Sequence, residues 1–249
     1  MLSPSLLPLL GLVASACSSN PTAPTPPAAA KVAAAQPAPS PVPVQPAPVQ
    51  LAPVTPGELV VTSGSIRPAP GLEPSGAGPP AFAIREPTLR AWLGRTPRSA
   101  VEMEFVYRGV TARAAPLASG QLRRQIGVEL RAQDSCNVVY VMWHVEPARG
   151  IVVSLKNNPG QSRHAECGDR GYTVLAPEQA HPVPPVRVGE RHRLAATVSE
   201  RELVVSVDNV RTWVGRLPPA AFAFDGPVGI RSDNGQFDVR LWARRAALQ

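Results

Sequence analysis

Five side chains in the middle of this chain are of the types that grip a sugar: Glu129, Arg131, Tyr140, His144 and Lys156. A phenol ring can stack on the apolar face of a pyranose, while carboxylate, guanidinium, imidazole and ammonium groups exchange hydrogen bonds with hydroxyls. Lys156 stands out because the chain has 25 basic residues and, beyond Lys31, no other lysine. The same five residues also fit a plainer role, the solvated side of a sheet whose other side is buried. A second cluster, His164, Glu166, Cys167 and Asp169, holds metal-ligand types, and His144 and Cys136 could join it. Its His-x-x-Cys spacing matches no metal module, since tetrahedral sites are usually built from paired ligands. Neither a metal nor a cofactor is expected.

For the five to act together they must share one face of neighbouring strands, and the flanking sequence supplies the strands. Val101, Met103, Phe105 and Tyr107 alternate with Glu102, Glu104 and Arg108. Ile126, Val128 and Leu130 alternate with Gln125, Gly127, Glu129 and Arg131. Val138–Val145 is almost continuously apolar, as in a central strand covered on both sides. In that strand Val139, Val141, Trp143 and Val145 are expected inward, with Tyr140 and His144 on the other face. Ile151–Asn157 follows, with Ser154 and Lys156 on the polar side. Further on, Leu194, Ala196 and Val198 and then Leu203, Val205 and Val207 form two more alternating sets, turning at Ser199–Glu202. Asp208-Asn209 turns the chain again, and Asp233-Asn234-Gly235 predicts a hairpin between Val228–Ser232 and Phe237–Trp242. The only helical signal is a turn or two near Leu89–Leu93. Many short strands without intervening helices predict an all-β, two-sheet antiparallel sandwich.

The N-terminal quarter cannot join that fold on composition. Fourteen of the 31 prolines fall within residues 1–56, whereas all 12 aromatic residues lie between Phe82 and Trp242. Proline at that density with no aromatic side chain favours polyproline II and cannot bury enough apolar surface to offset ordering. Residues 18–57 therefore predict a disordered tether, on the order of 120 Å long if fully extended. The body follows from residue 58 to 249.

Ahead of the tether, the apolar run Leu6–Val13 and Ala14-Ser15-Ala16-Cys17 resemble the signal peptide and lipobox of bacterial lipoproteins. The resemblance implies cleavage after residue 16 and a lipidated Cys17 as the start of segment 17–57. It further implies anchoring in the bacterial cell envelope, and Ser18 resembles outer-membrane rather than inner-membrane sorting. The membrane, through that lipid, is then one partner. With Cys17 used by lipid, Cys136 and Cys167 remain. An exported domain meets oxidising conditions, so a disulfide between them is expected, with zinc the competing use.

In the last third, RHRLAATVSERELVVSVDN and GPVGIRSDNGQFDVRLWA resemble the closing strands of concanavalin A-like jelly rolls, the laminin G and glucanase type. That group includes the 3-keto-disaccharide hydrolase-like domains of exported bacterial proteins. The resemblance spans roughly residues 101–243 and implies a jelly roll. Its catalytic motifs are incomplete here. Glucanases of this fold carry Glu-x-Asp-x-x-Glu, a nucleophile and an acid about 5 Å apart; Glu102-Met103-Glu104-Phe105-Val106-Tyr107 departs from it at two positions. Gln125-Ile126-Gly127 lacks the histidine of the alginate-lyase pattern, and no Gly-x-Ser-x-Gly elbow occurs. The net charge of +7 is scattered, with Arg123-Arg124 and Arg244-Arg245 the only doublets. Without a basic stripe interleaved with aromatics, nucleic acid is not an expected partner. Three readings stand: a non-catalytic domain binding a polysaccharide or another envelope component, a glycan hydrolase or lyase using carboxylates such as Glu104 and Glu129, and a protein-assembly module.

Overall fold

The computed structural model describes residues 50–69 and 79–245. The expected signal segment, Cys17 and the tether as far as residue 49 lie outside the described residues.

Period-two alternation becomes strand almost everywhere it occurs. The strands are β1 (Leu51–Val54), β2 (Leu59–Ser63), β3 (Arg67–Pro68), β4 (Phe82–Ile84), β5 (Thr88–Leu93), β6 (Ala100–Val110), β7 (Arg124–Leu130) and β8 (Val138–Glu146). They continue as β9 (Gly150–Lys156), β10 (Tyr172–Val174), β11 (Gln179–Ala180), β12 (Arg191–Ser199), β13 (Glu202–Val207), β14 (Val210–Arg216), β15 (Gly229–Asp233) and β16 (Gly235–Arg244). One sheet has nine strands in the order β11-β14-β13-β12-β6-β16-β4-β3, with β1 also on β16. The other has seven, β10-β9-β8-β7-β15-β5-β2. Neighbours pair antiparallel, and the chain crosses between sheets at each of the steps β4–β5, β5–β6, β6–β7 and β15–β16. The result is the expected all-β sandwich.

The core lies between the sheets and is closed by aromatic contacts across them. Phe105 of β6 meets Trp143 of β8 edge-on across the core at 5.5 Å and, within its own sheet, Phe237 of β16 edge-on at 5.8 Å, an arrangement that favours the ring quadrupoles. Strand β8 is buried on both faces, as its continuous apolar sequence predicts. At the β13–β14 hairpin Asp208 and Asn209 take φ of 50° and 67°, the left-handed pair that a tight two-residue turn requires.

Three expectations are corrected. Leu89–Leu93 is not helical: it lies in β5, with Leu89 and Ala91 fully buried and Arg90 and Trp92 on the opposite side. The chain around Asp233-Asn234-Gly235 is not a hairpin, because β15 pairs with β5 and β7 while β16 pairs with β6 and β4. The turn is instead a corner between the sheets. The Asn234 side chain fixes it there, accepting from Ala115 N–H at 2.7 Å and donating to the carbonyls of Ala115 and Arg123. Lastly, the sandwich begins before residue 58. Leu51–Val54, which the proline tally places in the tether, pairs with Leu241–Arg244. Its Pro53 is exposed, and an edge strand tolerates a residue that cannot donate a ladder bond.

Candidate functional site

The outer face of the seven-stranded sheet collects most of the side chains whose chemistry the sequence singles out. Registers place them in rows across the strands. One row runs Ser154, Tyr140, Glu129, Gly229, Trp92 over β9, β8, β7, β15 and β5. The next runs Met142, Gly127, Arg231, Arg90, and a third His144, Gln125, Asp233. At strand spacings of about 4.8 Å, the first row is roughly 19 Å long.

Glu129 sits at the centre of the first row, 2% exposed, and its Oε2 accepts from Trp92 Nε1 at 2.6 Å. The bond passes over Gly229. A Cβ there would meet Trp92 Cδ1 at 2.7 Å and Glu129 Oε2 at 3.3 Å, so glycine is what lets indole and carboxyl close on each other. Burial raises the Glu129 pKa above the ordinary carboxylate range, against the pull of Arg90 and the indole bond. Glu129 is thus biased towards holding a proton.

Asp233, two rows away, is the opposite case. Burial works against its charge, yet Arg231 and Arg90 hold its pKa below the ordinary value. Arg231 Nε lies at 3.0 Å, Arg90 Nη2 at 3.1 Å, and Gln125 Nε2 donates at 2.6 Å. The Gln125 amide oxygen is buried and has no hydrogen-bond partner among the described residues. Arg231 also covers the Tyr140 ring at 4.7 Å, and Tyr140 stacks on Tyr172 of β10 at 5.9 Å with a 22° interplanar angle. Tyr172 is 42% exposed, so the aromatic pair opens onto solvent. His144 Nε2 lies 3.3 Å from Arg123 Nη1. Burial first and that guanidinium second lower the His144 pKa to about 4, leaving the ring neutral at pH 7.

The structure brings Glu129, Tyr140, His144 and Lys156 to one face, as strand alternation predicts, and gives two of the five side chains different work. Arg131 leaves the patch. Its φ of 53° ends the alternation after Leu130, and its guanidinium turns to the carbonyls of Ala221 and Phe224 at 2.9 and 2.7 Å and to Asp225 at 3.3 Å. Lys156 stays on the face but is 1% exposed. Its ammonium donates to the carbonyls of Ser135 and Gly168, the residues flanking the cysteines, and its pKa is lowered to about 8, mainly by burial. Cys136 and Cys167 are bonded, with Cα atoms 5.9 Å apart, so neither is free to ligate zinc. Lys156 is therefore a clamp under the disulfide loop.

The carboxylates of the hydrolase reading are separated by the whole sandwich. Glu104 lies on β6, on the outer face of the nine-stranded sheet, between Arg191 at 2.8 Å, Arg240 at 3.3 Å and Arg193 at 3.5 Å. Glu102 beside it pairs with Arg193 at 3.2 Å. Glu104 and Glu129 cannot flank one glycosidic bond. Arg90, Trp92, Arg231, Asp233 and Tyr172 are the residues the sequence alone did not bring to the site. The alternation of Arg90 and Trp92 with Leu89, Ala91 and Leu93 was the available signal for the first two.

No protein-family model and no curated protein matches the chain. Among solved structures it is similar to a carbohydrate binding module from Bacillus subtilis, at 10% identity and TM-score 0.49 over 73% of this chain and 91% of that one. Domain 4 of an extracellular arabinanase from Geobacillus stearothermophilus, solved with arabinotriose, aligns at 12% identity and TM-score 0.42 over 75% and 82%. A laminarinase from Flavobacterium sp. aligns at 10% identity and TM-score 0.39 over 67% and 79%. The ligand chemistry of this chain rests on its own side chains.

Proposed function

We propose that the outer face of the seven-stranded sheet binds a glycan, with the Tyr172–Tyr140 stack and Trp92 as ring platforms and Glu129 as the central polar contact. One observation carries this reading: the row Tyr140–Glu129–Gly229–Trp92 sets an aromatic ring on each side of a carboxyl group that no guanidinium ion-pairs among the described residues. Rings stack on sugar faces, and a carboxyl between them exchanges hydrogen bonds with hydroxyls. The expected anchor is a lipid on Cys17, holding the sandwich to the envelope through the proline-rich segment.

The test is a glycan array of neutral and acidic polysaccharides probed with the mature chain. Binding is expected, with at least a tenfold loss in Tyr172→Ala, an exposed position whose truncation leaves the core intact. No binding above background overturns the reading. Release from the membrane fraction on Cys17→Ala checks the anchor separately.

A second reading, glycan cleavage with Glu129 as proton donor, is favoured by the raised pKa of that buried carboxyl. Turnover abolished in Glu129→Gln with binding retained would select it. Binding without turnover selects the first.

A further inference from the structure

A second site lies at the end of the sandwich where β1 joins β16, with Leu51 opposite Arg244. A cavity of about 470 Å³ there is lined by Arg98, Arg131, Arg244 and Arg245, with Ser99 and Asp225 among the remaining wall residues. Four guanidinium-bearing side chains thus face one acid. Asp225 is engaged by Arg131 at 3.3 Å. Among the described residues, Arg98, Arg244 and Arg245 form no ion pair, although Glu58 is near enough to feel the charge of Arg98. Their recorded bonds run to neutral oxygens. Arg98 Nη1 donates to the Arg244 carbonyl at 2.6 Å, and Arg244 Nη1 to Ser99 Oγ at 3.2 Å. Arg98 Nε is buried and has no hydrogen-bond partner among the described residues.

Elsewhere on the sandwich, three clusters of arginines each have a carboxylate at their centre. Arg85 and Arg108 converge on Asp238, Arg191, Arg193 and Arg240 on Glu104, and Arg90 and Arg231 on Asp233. Round this cavity the one acid is engaged by Arg131, so the remaining like charge is left for a partner that the described residues do not supply.

We propose that this cavity binds a phosphate group, carried by a soluble ester or by a lipid headgroup. Arg98 reaches the cavity from the β5–β6 connection and Arg244 and Arg245 from the end of β16, an arrangement that suits a tetrahedral dianion with oxygens in several directions. A planar carboxylate would engage one fork and leave the others. The volume exceeds that of the ion alone and falls in the range of small-molecule sites, so it leaves room for part of the body the phosphate is attached to.

The experiment is calorimetric titration of the mature chain with inorganic phosphate at low ionic strength, repeated on variants. Saturable binding is expected, weakened at least tenfold in Arg98→Gln/Arg244→Gln, and unchanged in Arg149→Gln, which removes one positive charge from the exposed β8–β9 turn. Should the double variant fail to fold, Arg245→Gln, at an exposed position that makes no hydrogen bond or ion pair among the described residues, is expected to weaken binding several-fold. Absence of saturable binding, or binding that the cavity variants retain, overturns the proposal. Vesicles of phosphatidylglycerol and of phosphatidylcholine then identify the source. Capture by either that inorganic phosphate competes away points to a headgroup, and phosphate binding without capture points to a soluble ester. Because none of these readouts uses a sugar, failure here and failure of glycan binding are distinguishable.

Discussion

Glu104 and Glu129 occupy equivalent stations on the two outer faces of the sandwich, and their surroundings could hardly differ more. Glu104 is met by three arginines across strands. Glu129 is met by one indole N–H, and burial lifts its pKa. Around the first acid the face is an ion-pair lattice, repeated at Asp238 with Arg85 and Arg108. Around the second, beside the Arg90–Asp233–Arg231 ion pairs, it is rings, a neutral imidazole and a buried amide oxygen that accepts from nothing among the described residues. A lattice of matched charges has no capacity left over and serves the fold. A face whose polar atoms are incompletely matched has capacity to spend on a ligand.

The widest expected effect tests what holds each face in place. The disulfide serves only the second, through the loop that Lys156 clamps. Replacing both cysteines with serine should cost about 3–4 kcal/mol on the chain-entropy account, read as a lowered urea midpoint. It should raise hydrogen exchange in residues 158–171 and leave the β6–β12 ladder protected. Uniform loss of protection would erase the distinction.

Next comes the direct contrast. Glu104→Gln removes the counter-charge from buried Arg240 and from the half-exposed Arg191 and Arg193, and should destabilise by about 2 kcal/mol. Glu129→Gln keeps the shape and an acceptor for the indole and should stay within about 1 kcal/mol. Equal losses in chemical denaturation would break the comparison.

The pH dependence sharpens it further. Below about 6.5 the unfolded His144 ring takes up a proton that the folded ring refuses until about 4. The unfolded state then binds more protons, so stability falls as pH drops through that window, by roughly 2–3 kcal/mol. Midpoints measured at pH 7, 5.5 and 4.5 should show the decline, flattened in His144→Gln.

The smallest effect belongs to the indole bond. Trp92→Phe keeps the ring platform and removes the donor, costing about 1–2 kcal/mol. It should push the Glu129 titration still higher in a carboxyl-detected NMR experiment.

Much of this was legible from local pattern. Alternation within one strand put Glu129 on the polar side of β7 and Tyr140 and His144 on the same side of β8, and antiparallel pairing made those sides coincide. Alternation also promised Arg131, and failed because one left-handed residue redirects a side chain without leaving a mark in the hydrophobic pattern. Arg231 and Asp233 were harder. Asn-Gly is a local hairpin signal, but which sheet accepts each arm was decided by the distant backbone that Asn234 binds. The role of Lys156 was likewise invisible, since its carbonyl partners come from two loops 33 residues apart that the disulfide draws together.

The four-residue pairing of β1 with β16 gives the molecule a defined mechanical entry point. Any tension arriving along the chain ahead of Leu51 is delivered first to the short ladder from Leu51–Arg244 to Val54–Leu241. Load passes from there into β16, a strand flanked by β6 along most of its length. Val54, buried to 3%, is the plug that must leave the core before β1 can peel away. Were the chain held by the proposed anchor, the short strand would work as a strain relief, yielding at the cable's end before the casing.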